Sequence, residues 1–307
     1  MSKWTTSDIP SQHGRSAIVT GTGGLGFEDA LALARAGCEV IVAGRAPQKG
    51  REALARIRAQ VPGAEVCFEQ VDLASLASIA AFGRRLNAKR DSLDLLINNA
   101  GVMTPPKRRE TLDGFELQFG TNYLGHFALT AHLLPLLRKG HAPRVITLSS
   151  VAARSGKIDF DDLNAKRKYK PMPVYSQSKL ACLMFAFELQ RRSETSGWGI
   201  TSIAAHPGIS RTDLLHNAPG RRSLFGMVRS AFWFLFQPAA QGALPTLFAA
   251  TAPAAEPGGY YGPDKMNEIR GYPSTAKAPP ASLDKQVARR LWDVSEELTA
   301  IRFGQVA

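Results

Sequence analysis

Short apolar runs alternate along the chain with longer amphipathic segments. The stretches SAIVT (16–20), EVIVA (39–43), EVCFEQV (65–71), LDLLIN (93–98), RVITLS (144–149) and ITSIAA (200–205) read as strands, with a helix-length amphipathic segment between successive strands in the first half. Such alternation specifies a parallel sheet with helices on both faces, because each right-handed crossover must lay its helix back against the sheet. The pattern predicts a single α/β domain on a doubly wound, mostly parallel sheet. Ligands of such sheets bind beyond the carboxyl ends of the strands, where strand order reverses. Residues 207–240 and the Pro/Gly-rich stretch 252–281 read as lids and loops on that domain.

Composition narrows the class. With 307 residues, 44% hydrophobic and 21% charged, the chain has the make-up of a globular protein with a well-buried core. Its formal charge of +12 invites a nucleic-acid reading. The basic residues, however, fall in three short clusters that read as loops, PKRR (106–109), NAKRKYK (164–170) and GRR (220–222), with no helix-turn-helix, finger or RNA-binding signature. No nucleic-acid partner is expected. The most apolar run, SLFGMVRSAFWFLF (223–236), is interrupted by Arg229 and is shorter than the roughly 20 residues a bilayer requires. No membrane span is expected, and peripheral contact of this segment with a membrane surface stays open. The N-terminus lacks an apolar signal segment, so a cytoplasmic location is expected. Cys38, Cys67 and Cys182 are too far apart for a metal knuckle and read as packing residues, and the histidines show no ligand spacing, so no metal is expected.

Chemistry concentrates at the strand ends. After the first strand comes TGTGGLG, in which Gly21, Gly23 and Gly26 match G-x-G-x-x-G and Gly24 offers a second reading of the same turn. Strand, glycine turn and helix together make a dinucleotide cradle, in which backbone N–H groups and a helix N-terminus meet a pyrophosphate. An acid at the end of the second strand ordinarily holds the ribose 2′-hydroxyl. Here Gly44 stands in that place, followed by Arg45 and then Lys49, which favours NADP(H) and leaves NAD(H) possible. Farther on, PVYSQSKL places Tyr175 and Lys179 one helical turn apart. A phenol is a poor acid–base catalyst at its ordinary pKa of about 10, and an ammonium on the same face favours the phenolate. Ser149 and Ser150 end the fifth strand and offer hydroxyls to a substrate oxygen.

These motifs, NNAG (98–101), Asn122 in TNYLGHF, Ser150, Tyr175 with Lys179, and HPGISRT (206–212), together resemble the short-chain dehydrogenase/reductase family, over residues 14–265. The resemblance implies a single-domain Rossmann fold. It implies an NAD(P)H-dependent oxidoreductase, with Tyr175 as general acid/base, Ser150 holding the substrate oxygen, Lys179 on the nicotinamide ribose and Asn122 holding a relay water. Ser149 is the alternative to Ser150. The cofactor would lie on Gly21, Thr22, Gly23, Gly24, Leu25, Gly26, Arg45, Asp72, Leu73, Asn98, Ala100, Gly101, Tyr175, Lys179, Pro207, Gly208, Ile209 and Thr212. In the family the turn is T-G-x-x-x-G-x-G, and here it is one residue short. A cofactor-binding regulatory or interaction protein is therefore the competing expectation.

The long stretch between Ser150 and Tyr175, with DFDDLN inside it, and the C-terminal ARRLWDVSEELT are similar to the branch that includes retinol dehydrogenases, WW-domain oxidoreductases and protochlorophyllide reductases. That likeness implies an apolar alcohol, aldehyde or ketone as substrate, under a lid at about 209–240. The expected organisation is an N-terminal extension (1–13), the catalytic domain (14–265) and a C-terminal extension with a packed helix (266–307). A homodimer pairing the helices that carry Asn122 and Tyr175 is also implied, with Leu180, Leu183 and Phe187 available either to that interface or to the sheet.

Overall fold

The structure, a computed structural model, describes residues 3–210 and 237–304. Six strands lie where the apolar runs predict them: β1 (Ser16–Thr20), β2 (Glu39–Gly44), β3 (Val66–Gln70), β4 (Leu95–Asn98), β5 (Arg144–Leu148) and β6 (Thr201–Ala205). With β7 (Tyr260–Lys265) and β8 (Arg270–Thr275) they form one sheet of order β3-β2-β1-β4-β5-β6-β7-β8, parallel except for the β7–β8 pair. Strand order reverses between β1 and β4, and the crevice that opens there is the ligand position expected of a doubly wound sheet.

The helices among the described residues are α1 (Gly24–Arg35), α2 (Pro47–Gln60), α3 (Leu76–Lys89), α4 (Gly125–Leu137), α5 (Pro171–Ser196), α6 (Ala239–Thr251) and α7 (Lys285–Thr299). Alternation along the buried strands divides the core in two. Ile18, Leu96 and Val145 face the layer of α3, α4, α5 and α7, whereas Val19, Ile97 and Ile146 face that of α1, α2 and α6.

One reading of the sequence is corrected here. The stretch 252–281, read as loops, contains β7 and β8, whose hairpin spans residue 265. Pro263 and Pro273 sit opposite one another in it and hide the strand signal, but β8 is the sheet edge, where proline costs little. On α4 and α5, part of the surface is covered by α7 within the chain. Leu180 and Leu183 are fully buried, and Trp292 of α7 packs on Phe127 and Phe185 at ring distances of 5.0 and 5.7 Å. Tyr123 and Ser295 hydroxyls join the same elements at 2.7 Å. Helix α7 starts sharply because the Asp284 carboxylate caps the N–H groups of Gln286 and Val287.

Candidate active site

The glycine turn distinguishes between its two readings. Gly24 begins α1 with φ +54, a conformation that disfavours any side chain, whereas Gly23 is extended at φ −142 and open to other residues. At Gly26 a Cβ would lie 2.7 Å from the Gly21 carbonyl oxygen and 2.5 Å from Asn99 Nδ2. Gly21, Gly24 and Gly26 are thus the positions the backbone demands, and Gly23 is spacing. No side chain caps α1, so its first N–H groups point into the switch-point crevice unclaimed by a cap.

At the end of β2, a Cβ on Gly44 would come within 2.9 Å of the Thr22 methyl. An acid there would have to push that methyl aside. Arg45 is exposed, and its guanidinium makes no hydrogen bond or ion pair among the described residues. Asp72 and Leu73 follow β3, with the Asp72 carboxylate accepting the Ala74 N–H at 3.0 Å and Leu73 buried. The uncapped helix, the glycine cradle and the exposed arginine fit a dinucleotide.

Asn98 offers the crevice its backbone only. Its side chain turns into the core, donating to Thr130 Oγ1 at 3.1 Å. The residue that contacts the glycine turn is Asn99, which the motif reading passes over. Its amide donates to the Thr20 carbonyl at 2.7 Å, and its N–H and that of Ala100 donate to Thr20 Oγ1 at 2.9 and 3.0 Å. His126 continues this network. Its Nδ1–H donates to the Asn122 carbonyl at 2.9 Å, which leaves Nε2 to accept the Thr20 hydroxyl at 3.0 Å. The ring is fully buried, which pushes its pKa down to about 4 and keeps it neutral. The sequence signal for it was only a histidine four residues after Asn122.

Asn122 lies in a π-turn (Phe119–Leu124) ahead of α4. Its amide exchanges hydrogen bonds with the N–H and carbonyl of Val102, at 2.7 and 2.9 Å, and donates to Ser178 Oγ at 3.0 Å. The side chain therefore staples the loop after Gly101 to α5. Gly101 leaves room between them, since a Cβ there would sit 3.0 Å from Asn122 Oδ1 and 3.8 Å from Lys179 Nζ.

Lys179 and the end of β5 are bonded in both directions. Lys179 Nζ donates to the Leu148 carbonyl at 3.0 Å, and Ser149 Oγ donates to the Lys179 carbonyl at 2.8 Å. That separates the two serines. The Ser149 proton is committed and the residue buried, whereas Ser150 is partly exposed and its oxygen only accepts, from Ala152 N at 3.2 Å, so its proton remains free to donate. The short helix Val151–Ser155 after Ser150 meets α5 at Ser176, through Ser155 Oγ at 3.2 Å, one residue from Tyr175. Asn164, inside the long insertion, accepts Glu116 N through its side chain and Arg108 Nε through its carbonyl, while Gln177 binds Asp159 and Leu163. The insertion is thereby fixed to the approaches of Asn122 and Tyr175.

Pro207, Gly208 and Ile209 follow β6 at the same edge of the sheet. Thr212, most of the expected lid and the aromatic run 223–236 lie outside the described residues.

A parallel sheet whose switch point carries a glycine cradle, with Ser, Tyr and Lys gathered at the ends of β5 and α5, defines a nucleotide-dependent oxidoreductase of the short-chain type. The family model for short chain dehydrogenases matches residues 15–222, and the chain belongs to that family. Polyprenol dehydrogenase of Mus musculus is 41% identical over 297 residues, covering 95% of this chain and 85% of that protein. Retinol dehydrogenase 13 of Mus musculus is 41% identical over 295 residues, covering 94% and 84%. Among solved structures, an uncharacterized protein from Mycobacterium Paratuberculosis superposes with a TM-score of 0.81 at 37% identity, covering 98% of this chain and 99% of that one.

Proposed function

We propose that the protein is an NADP(H)-preferring dehydrogenase/reductase of apolar alcohols and their carbonyl partners, with Tyr175 as general acid/base. The observation that carries this reading is the two-way bonding of Lys179 to the end of β5, which fixes the part of α5 that carries Tyr175 against the strand end leading to the uncommitted hydroxyl of Ser150. When bound, the nicotinamide ring supplies the hydride donor or acceptor. Gly21, Gly24, Gly26 and the N-terminus of α1 would hold its pyrophosphate, and Arg45 a 2′-phosphate. Lys179 and Gly101 would border the nicotinamide ribose. Ser150 holds the substrate oxygen by donating its free proton, and Tyr175 delivers a proton to that oxygen or removes one. Asn122 keeps the wall at Gly101–Val102 in place. The insertion at 156–170 and the printed names of the relatives, polyprenol and retinol dehydrogenases, support a long apolar alcohol or aldehyde as substrate.

The test is titration with NADPH and NADH followed by turnover with long-chain allylic aldehydes and alcohols, for the parent and Tyr175→Phe. Tyr175→Phe is expected to bind the dinucleotide as the parent does and to lose about 10²–10⁴-fold in kcat. A parent that binds neither dinucleotide would refute the reading, and the shortened glycine turn would then mark a regulatory or interaction protein.

A further inference from the structure

The hairpin between β7 and β8 lies beyond the part of the chain that the family model matches, and the chemistry above makes no use of it. Its turn is unusual. Met266, Asn267 and Glu268 all have positive φ, at 53, 55 and 66°, in a left-handed region that such side chains enter only when their surroundings hold them there. What holds this turn is Glu268. Oε2 receives Arg154 Nη2 at 2.7 Å and His206 Nε2 at 2.9 Å, and Oε1 receives the Lys277 N–H at 2.9 Å. The Gly208 N–H donates to His206 Nδ1 at 3.2 Å, which leaves the ring proton on Nε2 for the carboxylate. The His206 ring is 1% exposed.

Two of the three donors come from segments that border the site. Arg154 lies four residues after Ser150, in the helix that meets α5 beside Tyr175, and it also donates to the Asn267 carbonyl at 3.1 Å. His206 opens the loop after β6 that carries Pro207, Gly208 and Ile209. The turn grips that loop by its backbone as well. Ile209 N donates to the Ile269 carbonyl at 2.8 Å, and a Cβ on Gly208 would come within 2.2 Å of that same oxygen. Among the described residues, Glu268 is therefore the one carboxylate through which the segment after Ser150 and the loop after β6 are tied together. A surface ion pair would contribute little, but this carboxylate is only 16% exposed and takes three donors from three separate segments.

We propose that Glu268 is a positioning residue that holds the nicotinamide end of the cofactor site closed, by locking the loop after β6 to the segment after Ser150. This rests on the dinucleotide reading above. The adenosine end, at Gly21–Gly26, Arg45 and Asp72, is bordered by other strands and does not depend on the clamp.

That asymmetry supplies the test. Dissociation constants are measured for the dinucleotide the parent holds more tightly, NADPH or NADH, and for its adenosine half alone, 2′,5′-ADP or ADP, together with melting temperature and kcat. Glu268→Ala is expected to weaken the whole dinucleotide at least about tenfold while leaving the adenosine half within about twofold. Glu268→Gln, which keeps one acceptor oxygen but puts an NH2 donor in place of the other and loses the charge facing Arg154, is expected to fall between. Arg154→Ala is expected to reproduce part of the loss and to be non-additive with Glu268→Ala. If Glu268→Ala does not fold, the same selective loss is required of Glu268→Gln and Arg154→Ala. Unchanged dinucleotide binding, or equal loss of both ligands, would overturn the clamp while the dinucleotide reading stands. A parent that binds neither ligand would overturn both.

Discussion

Gly44 stands where an acid would hold a 2′-hydroxyl and repel a 2′-phosphate, and a side chain there would have to push the Thr22 methyl, 2.9 Å from its Cβ, aside. The next residue is an exposed guanidinium with five donors in a fixed fork, suited to a phosphate. Arg45→Ala is accordingly expected to raise the NADPH dissociation constant about tenfold and to leave that for NADH unchanged, the loss of one charge-assisted contact in a solvated position. Fluorescence titration of both cofactors decides it, since equal effects on the two would remove Arg45 from the 2′-phosphate. Adjacent residues also separate what sequence shows from what it hides. The Ser149–Ser150 and Asn98–Asn99 doublets are visible as polar strand ends. Which member faces the crevice depends on the pleat and on distant partners, Lys179 for Ser149 and Thr130 for Asn98, that a linear pattern does not carry.

At the scale of elements, β1, β4, the π-turn and α4 converge on His126. In its neutral form the ring accepts the Thr20 hydroxyl and donates to the Asn122 carbonyl, and its burial disfavours the charged form. Its pKa is about 4 in the folded chain, below the ordinary 6.5, so the unfolded chain takes up the proton first as pH falls. Its contribution is fully present above pH 6.5 and is lost progressively down to about pH 4, an effect on the order of 3 kcal/mol. Burial holds the His206 pKa down too, so it acts in the same direction. Urea unfolding between pH 4.5 and 8 is expected to show a shallower loss of stability on acidification for His126→Asn than for the parent. Parallel curves would mean that His126 does not titrate in this window. The elements themselves were largely legible: β1 to β6 fall on apolar runs with the helices between the early ones, because buried parallel strands need continuous apolar sequence. The β7–β8 hairpin was not legible, since prolines and glycines that read as loop residues are tolerated on an edge strand whose order comes from pairing and from the Glu268 clamp.

At the scale of the whole molecule, α7 packs against the α4–α5 face. Its indole at Trp292 is 1% exposed among Phe127, Phe185 and Phe303, and Arg192 lies over it at 4.5 Å. The chain thus completes its own core on the α4–α5 face. Two substitutions separate packing from polarity at this position. Trp292→Ala removes the aromatic mass and is expected to cost about 3–5 kcal/mol of unfolding free energy. Trp292→Phe keeps a ring and removes the indole N–H, which is buried without a hydrogen-bond partner among the described residues, so a cost under about 1.5 kcal/mol is expected. Truncation after Asp284 strips α7 altogether and bares the aromatic surface of Phe127 and Phe185. Exposed apolar patches of that kind drive association, so the truncated chain is expected to associate more strongly with rising concentration in sedimentation than the full chain does. A truncated chain that associates no more strongly than the full chain, together with a Trp292→Ala cost below about 1 kcal/mol, would show that α7 is not what covers the α4–α5 face.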